Sequence, residues 1–413
     1  MSTSALLLIA LASVVLLLLL VIKAKAHPFV ALLIVSLLVA FATGIPADKI
    51  ITTIEKGMGG LLGHIASIII LGSMLGVLIE ISGGAESLAK TLTGVLGSKR
   101  TIAALTIVAF ILGTPVFFEV GFIIIIPLIY GFSKVAHMSP LKFGLPMAGV
   151  MLTVHVALPT HPGAAAAAGI LHSDVGWLML AGIGVSVVVG IVGYFVARSI
   201  NQRHYHLSIN VLEQQQTAEV PDLSVNAQQT RLAPPNALVI GGLIVVPIWT
   251  LGIRRGMNLK KLGEVTGSAI PSSADVILVA GSGGAFGGVL VASGIGNALA
   301  EALETIHLPL MPAAFLLSLV LRASQGSATV AILTTSGLLS QAVAGLEPLQ
   351  LVLVTLATCF GSLGLSHVND AGFWVVTRYL GLSVPDGLKT WTVLTTIMGV
   401  TGFLITWLLW FLL

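Results

Sequence analysis

Charged side chains are scarce in this sequence. Only 8% of its 413 residues are Asp, Glu, Lys or Arg, whereas 56% are hydrophobic. A soluble domain carries about 25% charged residues, so a water-soluble chain of this length would lack a polar surface. The composition therefore excludes an ordinary soluble protein and predicts a membrane protein with many spans.

Cysteine is almost absent as well. The single thiol, Cys359, excludes an internal disulfide and a cysteine-based zinc site, and its apolar surroundings predict a small buried residue. His155 and His161 lack the intervening Glu of a helical zinc motif, and the glycine-rich residues 281–284 lack the Lys-Ser/Thr ending of a phosphate-binding loop. We therefore expect no cofactor, no bound metal and no site for ATP.

The net charge of +3 is too small and too dispersed to indicate a nucleic-acid partner.

Apolar segments make up most of the chain. Lys23 and Lys25 follow the first of them, residues 5–22, whereas a cleavable signal peptide carries its positive charge in front. Because about 20 apolar residues cross a bilayer as a helix, we predict an all-α polytopic membrane protein with about 10–12 transmembrane segments. The domains predicted are an N-terminal membrane repeat (1–200), a flexible polar linker (201–235) and a C-terminal membrane repeat (236–413).

The two halves share a sequence pattern. Residues 76–89 match residues 288–300 with one residue dropped, and each half continues with two interrupted apolar segments and an unbroken one. A repeat on both sides of a linker is typical of transporters, and we expect the two repeats to be inverted. Residues 48–56 predict a short amphipathic piece that is separate from the membrane segment 59–82.

Four of the apolar segments contain a polar interruption rich in glycine or proline, here called breaks 1 to 4. Break 1 is residues 113–119, break 2 is 155–163, break 3 is 322–329 and break 4 is 366–370. Irregular backbone survives at membrane depth only where it lines a cavity or is buried in protein, because lipid cannot hydrogen-bond to it. Many transporters build substrate and ion sites in this way. The breaks therefore predict a transport site, with hinges at Pro115, Pro159, Pro162 and Gly163.

Two charged residues stand alone in apolar runs. An isolated carboxylate such as Glu119 costs on the order of 2.5–3.5 kcal/mol on insertion. It indicates either a group that holds a proton or ion in a cavity, or a structural pairing with a neighbouring helix. Arg322 stays charged, and its guanidinium matches a carboxylate. Beside a half-helix N-terminus it predicts an anion site; the alternative is a structural ion pair with Asp370 or Glu119.

The breaks supply the candidate site residues. Those predicted to bind substrate are Arg322, Ser324, Gly326, Ser327, Thr329, Thr114 and Asn369. Those predicted to couple transport to protons or ions are Glu119, His161, His367 and Asp370, because each ionisable group lies at a break within the membrane.

These stretches resemble the gluconate permease family, proton-coupled bacterial symporters of the ion transporter superfamily. The resemblance is carried, in family order, by residues 72–89, 113–119, 158–163, 322–331 and 366–374. It implies a multi-pass protein of the bacterial inner membrane that takes up a small sugar acid or hydroxy-carboxylate, such as gluconate, idonate or glycerate. One branch of the family takes D-serine. The implied partners are that carboxylate, a coupling ion (H⁺ in the first place), the lipid bilayer and, as an open point, further copies in a homo-oligomer.

The middle of the chain departs from the family. Family members have a second apolar segment between the linker and the loop at residues 254–257, whereas here residues 237–253 run directly into that loop. A counterpart of residues 5–22 is thus missing from the second half. We predict a secondary active transporter. An enzyme such as an intramembrane hydrolase would need a nucleophile and a base at a matching spacing, and no such spacing is evident in the sequence. The alternatives left open are a transport-dead or regulatory paralogue, and uptake of D-serine or another amino acid.

Overall fold

The computed structural model describes residues 1–81, 84–97, 100–218, 258–268, 270–305, 308–368 and 370–413. Within these ranges the chain folds into helices and contains no β-strand. The helices before the linker are α1 (Thr3–Leu18), α2 (Pro28–Ala42), α3 (Ala47–Ile81), α4 (Gly84–Leu96), α5 (Thr101–Gly113), α6 (Phe118–Val135), α7 (Pro140–Ala157), α8 (Pro162–Leu171), α9 (Val175–Ile200) and α10 (Ile209–Thr217).

The helices after the linker repeat the same kinds of element. They are α11 (Leu259–Gly267), α12 (Ile270–Ala292), α13 (Ile295–Thr305), α14 (Leu310–Gln325), α15 (Ala328–Leu339), α16 (Pro348–Leu363), α17 (Ala371–Tyr379), α18 (Val384–Gly387), a π-helical turn (Leu388–Thr392) and α19 (Val393–Trp410).

By length and composition, four stretches of the described part are candidate membrane spans: Phe118–Val135, Pro140–Leu171, Val175–Ile200 and Val384–Trp410. The described part also contains shorter apolar helices of 10–17 residues. Among them are α5, α14, α15 and α16, each of which borders a break. These apolar helices confirm the prediction of an all-α polytopic membrane protein.

The two halves have the same order of elements. A long apolar helix (α3 or α12) is followed by a short amphipathic helix (α4 or α13). Two broken spans come next, α5/α6 and α7/α8 in the first half and α14/α15 and α16/α17 in the second. An unbroken span closes each half, α9 in the first and α18 to α19 in the second. The pattern seen in the sequence therefore corresponds to a repeated set of helices.

The corresponding helices α3 and α12 cross at glycines. A Cβ added to Gly57 would lie 2.5 Å from the carbonyl oxygen of Gly284, and one added to Gly284 would lie 2.7 Å from that of Gly57. Small residues allow membrane helices to approach backbone to backbone. These glycines thus let the two halves meet directly.

One prediction about local structure was wrong. Residues 48–56 are not a separate piece, because α3 continues from Ala47 to Ile81 without interruption. Within the predicted linker, residues 209–217 form helix α10, whose Val211 is buried. Hydrogen bonds dock this helix on the membrane body, from Ser208 N to Gly381 O at 2.9 Å and from Gln215 Nε2 to Met138 O at 2.9 Å. The rest of the linker and the apolar segment 237–253 lie outside the described residues.

Candidate functional site

Breaks 1 and 2 meet through His161. Its Nε2 lies 2.8 Å from the carbonyl oxygen of Gly113, at the end of α5. That carbonyl belongs to the last residue of a helix, which has no partner four residues further on. The imidazole therefore satisfies a buried backbone group and fixes the two breaks to each other.

Breaks 3 and 4 meet through an ion pair. The Arg322 guanidinium donates one Nη to Asp370 Oδ2 and the other to the Gly326 carbonyl. Arg322 is 2% exposed and Asp370 is 4% exposed, so the pair is removed from water. His367 Nε2 adds a second link between these breaks, at 2.8 Å from Ala323 O.

The two pairs of breaks also contact each other. A Cβ added to Gly163 in break 2 would lie 3.5 Å from Thr329 Cα in break 3. One added to Gly372, just after break 4, would lie 3.0 Å from the Phe118 ring in break 1. The four breaks therefore form a closed ring, in the order 1, 2, 3, 4, inside the helical body.

Four helices begin at this ring: α6, α8, α15 and α17. A helix N-terminus carries a partial positive charge and unpaired N–H groups. Two of these N-termini are capped by their own side chains, at Ser327 (Val330 N, 3.4 Å) and Asp370 (Gly372 N, 3.0 Å). The other two begin after Phe117 and His161 without a side-chain cap. The ring is thus electropositive in its backbone.

Arg322 forms the structural ion pair with Asp370, one of the alternatives that the sequence had left open. Besides Arg322, Asp370 Oδ2 accepts a hydrogen bond from Ser366 Oγ, and Ser366 Oγ accepts one from Trp391 Nε1 at 2.7 Å. Among the guanidinium nitrogens, Nε is buried and has no hydrogen-bond partner. One polar group of Arg322 therefore remains for a ligand, while its charge is balanced within the protein.

Glu119 lies in the first turn of α6 and is partly exposed. Asp370 and Arg322 both lie within electrostatic range of its carboxylate. In the described part of the chain no ion pair within 4 Å involves Glu119. The structure thus places it beside the Arg322–Asp370 pair rather than in it.

Two histidines from break 2 lie side by side. The ring centroids of His155 and His161 are 4.5 Å apart, and Phe117 packs 6.3 Å and 6.0 Å from them. The Nδ1 atoms of both histidines and the Thr160 hydroxyl are buried without a hydrogen-bond partner. His155, Thr160 and Ser366 lie in breaks 2 and 4 but were not chosen as candidate site residues. Trp391, outside the breaks, was missed, because an isolated polar group in an apolar run gives no sign of its partner.

The remaining predicted residues have simpler surroundings. Thr114 Oγ1 donates to Phe110 O at 3.1 Å, within its own helix end. Pro115 and Pro159 lie in the connections between half-helices, and Pro162 is the first residue of α8. Asn369 and the side chain of Ser324 lie outside what the structure describes.

Comparison with known proteins places this architecture in a family. The sequence model described as GntP family permease matches residues 5–232 and 232–412. The inner membrane permease YgbN of Escherichia coli (strain K12) is 58% identical over 451 aligned positions, which cover 99% of each chain. A gluconate permease of Bacillus licheniformis is 37% identical, over 98% of this chain and 99% of its own.

A solved structure has a related fold. The YdaH transporter of Alcanivorax borkumensis, described as having an unusual topology, superposes with a TM-score of 0.57 over 91% of this chain and 98% of that one. At 15% sequence identity this likeness shows the fold alone.

The alignments also bear on the shortened middle. The alignment with the Escherichia coli permease has 451 positions, more than the 413 residues of this chain, so the relative has residues that this chain lacks. The family match is divided at residue 232, close to where the family resemblance implies a missing membrane segment. The family match and the apolar helices together show that this chain is a multi-pass inner-membrane transporter of the GntP permease family.

Proposed function

We propose that this transporter imports a small sugar acid, gluconate or a close relative, together with protons. The observation that carries the proposal is the ring of four breaks, which brings Arg322, Asp370 and Glu119 together inside the membrane. The names of several relatives, gluconate permeases of Bacillus and Pseudomonas among them, support a sugar acid as the substrate class.

The substrate carboxylate would bind at the ring. The uncapped N-termini of α6 and α8 offer N–H groups to an anion, and the unpartnered Nε of Arg322 offers a further donor. Backbone N–H groups carry no full charge, so they can bind an anion that must be released again on the other side of the membrane. The substrate-binding role predicted for Arg322, Gly326, Ser327, Thr329 and Thr114 forms part of this proposal.

Charge balance in the ring suggests how protons enter the cycle. Arg322 and Asp370 cancel each other's charge, so an ionised Glu119 leaves the ring with a net negative charge. That charge opposes the binding of a second carboxylate at short range and low dielectric. Protonation of Glu119 removes the repulsion, and by linkage substrate binding favours protonation to the same extent. The roles in proton coupling predicted for His161, His367 and Asp370 remain predictions, in addition to the role proposed for Glu119.

We also propose that the two repeats are inverted, because inverted repeats provide alternating access to a single site in many transporters. Ser173, after the end of α8, accepts a hydrogen bond from Thr355, the eighth residue of α16, at 3.0 Å between hydroxyl oxygens. Tyr130, near the end of α6, donates to Tyr379 O at the end of α17, at 2.6 Å. These contacts support α7/α8 and α16/α17 crossing in opposite directions.

The test is uptake of labelled gluconate into vesicles that contain the purified protein, with and without an inward proton gradient. Gradient-driven accumulation is expected for the wild type. Glu119→Gln should lose accumulation while it still exchanges external for internal gluconate, because exchange needs no net proton movement. Glu264→Gln, at an exposed carboxylate of α11, is the matched control and should accumulate normally.

Each other outcome has a distinct meaning. Normal accumulation by the Glu119→Gln variant would remove Glu119 from proton coupling. A wild type that exchanges gluconate but ignores the proton gradient would contradict symport, and a parallel sodium gradient would show whether Na⁺ replaces H⁺. No uptake of gluconate together with uptake of D-serine would overturn the sugar-acid assignment.

A further inference from the structure

We propose that His155, Thr160 and His161 form a subsite that recognises a hydroxyl group of the substrate, next to the position of its carboxylate. The inference rests on the proposed function and refines it, since it assigns the hydroxyl preference of the transporter to particular atoms. It starts from three buried polar atoms without partners: His155 Nδ1, Thr160 Oγ1 and His161 Nδ1.

The bond to Gly113 determines the chemistry of His161. A carbonyl oxygen can only accept a hydrogen bond, so the Nε2 atom 2.8 Å from it must carry the proton. In the neutral imidazole the other nitrogen is then a bare acceptor. His161 is 1% exposed, so its Nδ1 lacks both a protein donor and bulk water. An alcohol O–H is a donor of the kind that this atom needs.

Thr160 supplies the complementary group. Its hydroxyl can donate and accept, and it lies in the connection between α7 and α8. The nearby Thr153, by contrast, lies within α7 and donates to Gly149 O at 2.9 Å. An acceptor and a donor from neighbouring residues match the two needs of one alcohol group. Leaving such groups buried and unpaired costs free energy, which a bound hydroxyl would recover.

The position of the subsite fits a substrate that begins at the ring. His155 and His161 belong to break 2, and Arg322 lies within electrostatic range of His155. Phe117, the residue before the uncapped N-terminus of α6, packs against both imidazoles. A carboxylate at that N-terminus therefore places the adjoining carbons of a sugar acid beside the two rings and the Thr160 hydroxyl.

A site built to bond a hydroxyl rejects the analogue that lacks it, because its own polar groups are then left unpaired. The experiment compares how gluconate, its monodeoxy analogues and hexanoate compete with labelled gluconate for uptake. In the wild type, removal of at least one hydroxyl should weaken competition by about tenfold or more. In Thr160→Val the deoxy analogue should compete almost as well as gluconate, so that the ratio of their inhibition constants is close to one. Thr160→Ser should restore the wild-type ratio, and the control Thr153→Val should match the wild type.

The outcomes separate this inference from the proposed function. A wild type that transports gluconate but shows no dependence on any single hydroxyl overturns the subsite alone, and this measurement needs no variant to fold. Thr160→Val with the full wild-type ratio also overturns it. A wild type that transports none of these acids removes the proposed function instead.

Discussion

At the scale of single residues, the guanidinium of Arg322 is held in place through both of its Nη atoms. It is bound to Asp370 and Gly326, and Asp370 is in turn held by Ser366 and by the backbone of Gly372. Two charges in a dry interior are tolerated because each completes the other's hydrogen bonds. The pair is therefore a fixed part of the ring, next to which the proposed substrate anion would bind.

Removal of one partner should be more harmful than removal of both. Asp370→Asn leaves Arg322 buried with an uncompensated charge, and we expect a loss of about 3–5 kcal/mol in stability. The double variant with Arg322→Gln should recover part of that loss, a non-additivity that thermal unfolding of the purified protein in detergent would measure. Asp386→Asn, at an exposed hydrogen bond with Ser383, is the control and should change little. Equal losses in the single and double variants would contradict a charge-balancing role.

The sequence identified the charged members of the ring but did not choose between Asp370 and Glu119 as the partner of Arg322. Glu119, Arg322 and Asp370 stand out because ionisable groups are rare in apolar runs. The choice of Asp370 rather than Glu119 as the partner of Arg322 depends on how four distant breaks pack, which residue spacing does not encode. Ser366 and Trp391 are 25 positions apart and meet only in the folded chain.

At the scale of elements, the prolines of the breaks marked helix ends, whereas Pro127 and Pro146 lie inside α6 and α7. Pro115, Pro159 and Pro162 all lie where the structure ends one half-helix and begins the next. The junction inside α3 was misjudged, because polar residues 48–56 suggested a boundary although no Gly-Pro signal or capping residue required one. Periodicity predicts that a helix exists better than it predicts where that helix joins its neighbour.

The crossing of α3 and α12 should tolerate no side chain. We expect Gly57→Ala to destabilise the protein by about 1–3 kcal/mol, because its Cβ would overlap the Gly284 carbonyl. Gly59→Ala is a matched control on the same helix, since a Cβ there meets nothing within 4 Å, and it should stabilise α3 slightly through helix propensity. Melting temperatures of the two variants in detergent provide the measurement. Equal behaviour of both would show that the helices do not touch at Gly57.

At the scale of the whole molecule, the repeat and the shortened middle bear on the arrangement in the membrane. The relative with 451 aligned positions has residues that this chain lacks. The Ser173–Thr355 and Tyr130–Tyr379 hydrogen bonds support the proposal that the second half is inverted relative to the first. Under that proposal the spans that build the ring keep their direction despite the missing residues.

Labelling of single cysteines can test the inverted arrangement. The native thiol, Cys359, is buried and can be replaced by alanine. In that background we expect His137→Cys and Ser383→Cys to react with an impermeant maleimide from one side of the membrane. Asp174→Cys and Glu347→Cys should react from the other side, since all four positions are exposed loop residues. Parallel repeats would instead put positions 137 and 347, which lie in corresponding loops, on the same side.

The balanced pair in the ring has an electrical consequence. Arg322 and Asp370 contribute no net charge whichever side the site faces, and a monoanion that enters with one proton on Glu119 is neutral as a unit. A charge moved across the membrane exchanges about 2.3 kcal/mol with each 100 mV of potential. Under the proposed coupling of one proton to one monoanion, a full cycle would move no charge, so the voltage would neither drive nor oppose uptake. The acid would then accumulate only as far as the difference in proton concentration allows, which would tie its uptake to external acidity.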